Sequence, residues 1–417
     1  MSLETGATTA PRTSLSVEEA RNRILGAVSP IDGWERVAIR DALGRVLRED
    51  VIAPFNVPAH DNSAMDGYAL RAEDLPDGIG ERSFRVIGSA FAGRSFSGVV
   101  GAGQAVRIMT GGVMPAGADS VVMQEKVRTD GEHVLISAGV QHGQNVRRAG
   151  EDLSEGSVAI SRGKRIGPAD LGLVASLGLA ELCVARRLRV AFFSTGDELA
   201  SIGSPAEPGQ VYDSNRYTLH GVLTRLGCDL VDMGVIPDRP EAIETAFCSA
   251  AASSDVILSS GGVSVGDADF IRTLMDRLGE VNFWKIDIKP GRPMAFGRIG
   301  NTWMFGLPGN PVAVMVTYYQ FVMDALLKIA GVTPLPERPL IPMTCTTAIR
   351  KSAGRQEYLR GHLLREDGAW EVRPAAAQGS GILRSMSEAN CFIVLGESQG
   401  DVAPGDTVDV QLFDGLV

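Results

Sequence analysis

The sequence predicts a multidomain chain that combines α/β and β parts, and three observations lead there. Its 417 residues exceed what a single hydrophobic core usually holds, so two to four domains are expected. Across residues 186–333, short apolar runs alternate with amphipathic stretches and Gly-rich turns. That is the pattern of a doubly wound α/β domain with a parallel sheet. On either side, Gly and Pro punctuate short β-prone pieces that carry no helical period.

Residues 1–15 read as a loose tail. Ser16-Val17-Glu18-Glu19 is a capping box, with Ser16 at N-cap and Glu19 at N3, and Val17, Ala20, Ile24 and Val28 line one face of the helix that follows. Val37 to Ile39 is expected as a strand, and Asp41 as the cap of a second helix through Leu47. Further on, Arg85–Ile87, Ala105–Met109, Val121–Val127 and Val134–Ile136 are expected strands, with turns at Ala116-Gly117 and Asp130-Gly131. Helical character returns at Pro168–Leu177. The first domain is therefore expected to be discontinuous and extended, 16–50 with 146–185, interrupted by a β-rich domain at 51–145.

Within 186–333, Arg189–Phe193, Asp229–Gly234, Asp255–Ser259 and Trp303–Leu307 are expected strands. Asn215–Leu226, ended by Gly227, Glu241–Ala251 and Ala268–Leu278 are expected helices. Asn310 suits the N-cap, and Pro311 the first position, of another helix reaching Ile329. The run Pro334–Pro342 reads as a linker to a small barrel-like β domain at 338–417, where Val408, Val410 and Leu412 alternate behind Pro404-Gly405-Asp406.

Forty basic and fifty acidic residues give a formal charge of -10, which argues against a nucleic-acid partner without a local basic patch. Arg147–Arg148 and Arg186–Arg187–Arg189 are too short to be one. The most apolar stretch, Val312 to Leu327, is short for a bilayer span and is interrupted by Thr317, Gln320 and Asp324. The N-terminus shows no apolar leader, so a cytoplasmic protein without membrane association is expected. Cys183, Cys228, Cys248, Cys345 and Cys391 are scattered and never at CxxC spacing. They read as small hydrophobes in a reducing compartment rather than zinc ligands or disulfides.

The strand-end loops of the α/β region share one chemistry. Glycine lets the backbone approach an oxyanion, Ser and Thr add hydroxyl donors, and helix N-termini add free N–H groups. Asp197, Glu198, Asp238, Asp267 and Asp269 sit in or beside these loops, where a bare phosphate would be repelled. A divalent cation between carboxylates and ligand resolves the conflict, which points to Mg²⁺-assisted chemistry at a phosphate ester or anhydride. Ser260-Gly261-Gly262 is the most pronounced glycine turn. Neither a Lys-bearing phosphate loop nor Gly-x-Gly-x-x-Gly is present, which weakens ATPase and dehydrogenase readings. Lys285 and Lys289 are expected on one strand, sharing a face with Asp287 as an anion clamp. Polar groups with glycine turns recur at Asp61–Ala69, Arg107–Gly112 and Arg147–Asp152.

At these loops the sequence resembles the molybdopterin molybdenumtransferase family, which includes bacterial MoeA and the E domain of gephyrin. The matching stretches are PAHDNSAMDGY at 58–68, RIMTGG at 107–112, VVMQE at 121–125 and NVRRAGED at 145–152, then FSTGDEL at 193–199, SSGGVSVGDAD at 259–269, IKPGRP at 288–293 and GLPGNP at 306–311, with NCFIVL at 390–395 near the end. The resemblance implies four domains, the third similar to the molybdopterin adenylyltransferases, and a homodimer with composite sites. It implies transfer of molybdate into adenylyl-molybdopterin, yielding molybdenum cofactor and AMP with Mg²⁺ present. Transient contacts with the adenylyltransferase and with molybdoenzymes or cofactor carriers are expected too.

By that resemblance, Glu198, Asp238 and Asp269 are expected as catalytic groups and Mg²⁺ ligands, with Lys285, Lys289, Ser260, Gly261, Gly262, Pro308 and Pro311 forming the anion and cofactor pocket. Asp66, Thr110 and Asp152 are carried over as its other wall, and either Arg355 or Arg360 as a phosphate contact, with no choice between the two. One departure is Arg292, where lysine is expected in some relatives; the charge survives but the guanidinium is wider. Two other readings share the fold: an adenylyltransferase, disfavoured by the extra domains, and a non-catalytic scaffold, disfavoured by the intact carboxylates.

Overall fold

The structure is a computed structural model, and it describes residues 14–76, 78–261, 273–274 and 276–413. The capping box forms as read: Glu19 N–H donates to Ser16 Oγ at 3.1 Å, and Ser16 N–H to Glu19 Oε2 at 2.8 Å, opening α1 (Val17–Ala27). β1 (Trp34–Ala38) follows. The expected helix after Asp41 is absent. A single turn, Ile39–Asp41, gives way to Gly44 at φ +75°, and Val46 and Leu47 form β-bridges with Arg165 and Val184 instead.

The chain then runs through β2 (Val51–Ile52) and β3 (Asn62–Ser63) into β4 (Gly67–Leu70), β5 (Glu81–Ala90), β6 (Gln104–Ile108), β7 (Ser120–Met123), β8 (Val127–Asp130) and β9 (His133–Ser137). The last six form one sheet in the order β7-β4-β6-β5-β9-β8. Val121–Val127 is thus two strands. A tight turn at Gln124–Lys126 breaks it, just after Gln124 N–H makes a bond to Asp66 O at 3.0 Å in register with β4.

β10 (Val146–Arg147), β11 (Val158–Ile160), α2 (Pro168–Ser176) and β12 (Glu181–Ala185) bring the chain back, pairing with β3, β2 and β1. Leu47, Val51 and Ala53 from before the β-rich sheet share one core with Ile160, Ile166, Val174 and Val184 from after it. That interleaving arises because neither half has enough apolar surface to bury alone.

The next region contains β13 (Arg189–Thr195), the small pair β14 (Leu199–Ala200) and β15 (Val211–Tyr212), α3 (Ser214–Leu226), β16 (Asp229–Ile236), α4 (Pro240–Ser253) and β17 (Val256–Ser260). Gly227 ends α3 in the left-handed conformation, as expected. After the described helical residues 273–274 and 276–278 come β18 (Gly279–Lys285), β19 (Ile288–Lys289), β20 (Pro293–Ile299) and β21 (Thr302–Leu307). The sheet order is β16-β13-β17-β21-β20-β18. It is mixed rather than parallel, since β20 runs antiparallel to both its neighbours, β21 and β18. Val190, Phe192, Val256 and Leu258 pack towards α3; Ala191, Phe193 and Ile257 pack towards α4.

A 19-residue helix, Pro311–Ile329, lies in the larger of these cores. It is long and apolar enough to cross a membrane, yet 89% of its most apolar window is buried inside the protein. Asn310 stands at its N-cap position without a side-chain cap bond. Its polar residues meet partners from other parts of the chain: Gln320 Nε2 donates to Gln411 Oε1 at 2.9 Å, and Asp324, fully buried, accepts from Arg21 of α1 at 2.7 Å and from Arg338 of the linker.

Finally β22 (Ile341–Cys345), β23 (Gln356–Glu366), β24 (Ala369–Pro374), β25 (Cys391–Leu395) and β26 (Thr407–Leu412) close on themselves through β23–β25 pairing, giving a five-stranded barrel-like sheet. The five cysteines are free.

Removing Asp324 leaves the mostly buried Arg338 guanidinium without its counter-ion, a loss of about 3–5 kcal/mol. Arg21 is 44% exposed, so Arg21→Ala costs about 1 kcal/mol or less. Denaturant unfolding should therefore show Asp324→Ala far below Arg21→Ala in midpoint; equal midpoints would show that the pair does not anchor the helix.

Candidate functional site

Register decides which loops meet. In the parallel strands, Thr195 lies beside Ile236, Ser194 beside Ser260, and Ser260 beside Leu307. One edge of the sheet therefore carries Gly196–Glu198, Pro237-Asp238, Gly261 and Pro308–Pro311. β20, antiparallel to β21, reaches that edge with its first residues, since Ala295 pairs with Gly306, and β18, parallel to the other strands, ends there with Lys285 beside Pro293. Lys285 thus stands at the end of the same row, exposed and without a carboxylate at ion-pair distance among the described residues.

The expected clamp of Lys285 with Lys289 does not form. The chain changes sheets at Ile286, which bridges Leu15, and Lys289 pairs with β23 of the barrel. There its ammonium donates to both oxygens of the buried Glu357 carboxylate, at 3.2 and 3.0 Å, and Asp287 accepts from Ser14 Oγ at 2.6 Å. An ammonium already neutralised by a buried carboxylate is a poor anion clamp.

The loops at the edge hold one another. Asn215 Nδ2 donates to Ser260 Oγ at 2.8 Å and to Gly309 O at 2.6 Å, and Gly261 N–H donates to Leu307 O at 3.2 Å. Gly261 has φ +92°, and a Cβ there would stand 2.5 Å from Thr195 O, so only glycine fits. Beneath them Ser194 Oγ donates to Asp213 Oδ1 at 3.0 Å, and Asp213 caps α3 by accepting the Arg216 N–H. Asp238 N–H donates to Asp197 Oδ1 at 3.1 Å, which joins the first two loops. Thr195 Oγ1 and Asn215 Oδ1 are buried at this edge with no hydrogen-bond partner among the described residues. Such atoms are uncommon in native interiors and mark places that a ligand or water satisfies.

Glu198 and Asp238 are exposed on the loops of neighbouring strands. Their hard oxygens suit Mg²⁺, which takes one or two carboxylates and fills its shell with water and phosphate oxygens. Among the described residues no three His, Cys, Asp or Glu side chains gather to hold a metal. Asp269, the third expected ligand, lies outside the described residues, as do Gly262 and Asp267.

A second cluster sits on the β-rich sheet. Asp66 accepts the Thr110 N–H at 2.7 Å and its hydroxyl at 2.8 Å. These bonds, the backbone one foremost, hold the Asp66 carboxyl below the usual carboxylate range, with Arg107 adding to the effect. Asp61 accepts from Ala149 N–H at 2.8 Å and Arg148 Nη1 at 2.7 Å, which pins the returning strap to β3. Asp152 follows on that strap in an exposed turn, its N–H donating to Val57 O at 3.1 Å. No hydrogen bond or ion pair among the described residues joins this cluster to the α/β edge.

The barrel supplies a loop that sequence reasoning passed over. Ser380 O accepts the Val312 N–H at 3.0 Å, so the turn Gln378-Gly379-Ser380-Gly381 touches the start of the core helix beside Pro308–Pro311. Its glycines are the same signal as in the strand-end loops. Arg360 does not serve as a free phosphate contact: it is 1% exposed and donates to Ser385 Oγ at 3.0 Å and Gly379 O at 3.1 Å. Burial without a counter-ion pushes its pKa down to about 10. It supports the turn, while Arg355 is exposed.

Glycine-rich loops at the carboxyl edge of an α/β sheet, rimmed among the described residues by carboxylates and Lys285, place this chain in the class of α/β proteins whose strand-end loops form the ligand crevice. Three family models cover most of the chain: "MoeA N-terminal region (domain I and II)" at residues 15–178, "Probable molybdopterin binding domain" at 191–328 and "MoeA C-terminal region (domain IV)" at 342–413. A molybdopterin molybdenumtransferase of Haemophilus influenzae is 40% identical over 97% of this chain and all of its own length. Another from Nostoc is 33% identical, covering 94% of this chain and 92% of its own. The solved molybdopterin biosynthesis MoeA protein of Pyrococcus horikoshii superposes with TM-score 0.83 at 29% identity, covering 96% of this chain and 100% of its own. The chain belongs to the MoeA family of molybdopterin molybdenumtransferases.

The Thr110 bonds carry a pH consequence. With its folded pKa depressed, Asp66 contributes stability that is present above the ordinary aspartate pKa and is lost as pH falls through the folded value. Thr110→Val keeps the backbone N–H and deletes the hydroxyl, so the Asp66 titration midpoint, read from its carboxyl carbon by NMR, should move up. An unchanged midpoint would remove the hydroxyl as a cause.

Proposed function

We propose that this protein inserts molybdate into adenylyl-molybdopterin, releasing AMP and completing the molybdenum cofactor. The observation that carries the reading is the gathering of Thr195–Glu198, Asp238, Ser260-Gly261, Pro308–Pro311 and Lys285 on one sheet edge. Molybdate is a compact dianion, and the unpaired Lys285 ammonium supplies a point charge with three rotatable donors for it or for the phosphates beside it. The absence of side chains at Gly261 and Gly309 lets phosphate oxygens come close to the loop backbone. Pro308 and Pro311 hold the loop that presents the start of the core helix.

Glu198 and Asp238 would hold Mg²⁺, with Asp269 as a third carboxylate, and the ion would screen the charge of the anhydride. Their carboxylates also keep the rim selective, since an anion arriving without a cation meets repulsion. In this reading the protein works in the cytoplasm, where its substrates are made and consumed. It meets the adenylyltransferase on one side and molybdoenzymes or cofactor carriers on the other.

We further place Asp66, Thr110 and Asp152 at the site of the partner subunit in a homodimer. The separation of the two clusters within the subunit supports this, since a two-fold axis brings the wall of one copy to the edge of the other. The adenylyl bond is then cleaved only where both copies meet, which couples catalysis to assembly.

Two measurements test the reading. Purified protein supplied with adenylyl-molybdopterin, Mg²⁺ and molybdate should consume the adenylate and release AMP only when molybdate is present; accumulation of adenylyl-pterin from ATP would indicate an adenylyltransferase instead. Lys285→Ala should weaken the dependence of rate on molybdate far more than Lys289→Ala does. Equal effects would return both lysines to a shared role.

The composite site has its own test. Asp66→Ala and Glu198→Ala proteins, each nearly inactive, are unfolded and refolded together. Half the dimers are mixed and each mixed dimer has one intact site, so activity should recover to about a quarter of the unmutated value. With exchange verified by mass, no recovery would place both residues in the same subunit's site.

A further inference from the structure

The side-chain amide of Asn215 is fixed at one end and empty at the other. Its nitrogen faces Ser260 Oγ at 2.8 Å and Gly309 O at 2.6 Å. A carbonyl oxygen can only accept, so the contact with Gly309 settles which end of the amide is nitrogen. The oxygen, Oδ1, is left pointing away, buried and without a partner. Asn215 is also the second residue of α3, held by the Asp213 cap, so its backbone cannot drift to find a donor.

A buried carbonyl that gains no bond in the free protein costs stability of the order of a lost hydrogen bond. Other residue types at this position would avoid that cost while still filling the space. Leaving the acceptor open has a use only if a bound molecule brings a donor to it. The surroundings narrow the class of molecule: the nitrogen end of the same amide rests on Ser260 Oγ and Gly309 O, in glycine-rich loops that suit phosphate rather than an apolar body. What reaches Oδ1 is therefore an N–H or O–H close to a phosphate.

We propose that Asn215 Oδ1 accepts a hydrogen bond from the nucleotide of the substrate, from a ribose hydroxyl or from the amine of the base. Asn215 is thus a specificity-determining residue, and its nitrogen links the loops after β17 and β21 in the geometry that ligand needs. The proposal rests on the adenylyl-molybdopterin reading above, because that substrate is what brings a nucleotide to this edge.

The test is a set of coupled binding measurements with AMP, 2′-deoxy-AMP, 3′-deoxy-AMP and purine riboside monophosphate, which lacks the amine, each titrated calorimetrically with Mg²⁺ present. For the unmutated dimer, the analogue lacking the relevant donor should bind about tenfold more weakly than AMP, the size of one hydrogen bond left unmade. In Asn215→Ala the same analogue and AMP should bind within about twofold of each other, because the partner oxygen is gone. A loosened loop would weaken all four ligands alike and would not erase that difference. If Asn215→Ala fails to unfold cooperatively, Asn215→Ser is measured in its place, since its hydroxyl is too short to reach.

Coupling to a deoxy analogue assigns the ribose, and coupling to the purine analogue assigns the base. The same discrimination in variant and unmutated protein overturns the proposal while leaving the functional reading standing. Absence of AMP binding to the unmutated protein overturns the functional reading and this inference together.

Discussion

The buried carboxylate of Asp324 is the constraint from which the arrangement of the chain follows. It sits inside the helix Pro311–Ile329 with no exposed surface, where an unpaired charge is prohibitively costly. Two guanidiniums resolve it, Arg21 from the first helix and Arg338 from the linker to the barrel. The same helix face is tied by Lys328, whose ammonium donates to Leu25 O at 2.5 Å, and by Gln320 against Gln411 of the last strand. The N-terminal helix, the α/β core and the barrel are thereby fixed to one rod. Apolar packing alone would allow these parts to slide, because dispersion and burial are non-directional; charged and hydrogen-bonded contacts set a single register.

That rod ends at the candidate site. Its first turn follows Pro308–Pro311, and the barrel turn at Ser380 meets it there through the Val312 N–H. The anchored half of the helix gives rigidity and the other half presents unsatisfied groups. The loops around it contain residues that packing would not choose: Gly261 in a left-handed conformation, and Thr195 and Asn215 with buried atoms unbonded. Rigid support next to incomplete bonding is what a preorganised ligand site requires, since groups that must first be pulled into place waste binding energy; Thr195 Oγ1 can donate or accept there, and Asn215 Oδ1 can only accept.

Much of this was legible in the chain itself. The capping box at Ser16, the stop at Gly227 and the four parallel strands all follow from local chemistry, and local chemistry is what a linear reading sees. Errors came where a partner distant in sequence decided the outcome. Gly44 and the bridges to Arg165 and Val184 replaced the helix expected after Asp41. The run at Gln124 is split because its first half pairs with β4 and its second with β9. Lys285 and Lys289 look like neighbours on one strand, but Ile286 carries the chain from one sheet to another, and Glu357, 68 residues later, neutralises the second lysine. Arg360 has the composition of a phosphate ligand and the burial of a structural post.

The sequence by itself determined the element types over most of the chain, the glycine and carboxylate chemistry of the strand-end loops, and the family. Each depends on residue identity and short spacing, which the chain states directly. Only the tertiary structure decided that the sheet is mixed, that antiparallel β20 leaves the end of β18, and with it Lys285, on the same edge as Thr195, Ser260 and Pro308, and that a barrel turn completes the row. It alone revealed which amide end of Asn215 is satisfied and which is open. Those outcomes depend on strand direction, burial and bonds between residues far apart in the chain, and these exist only once the chain has closed upon itself.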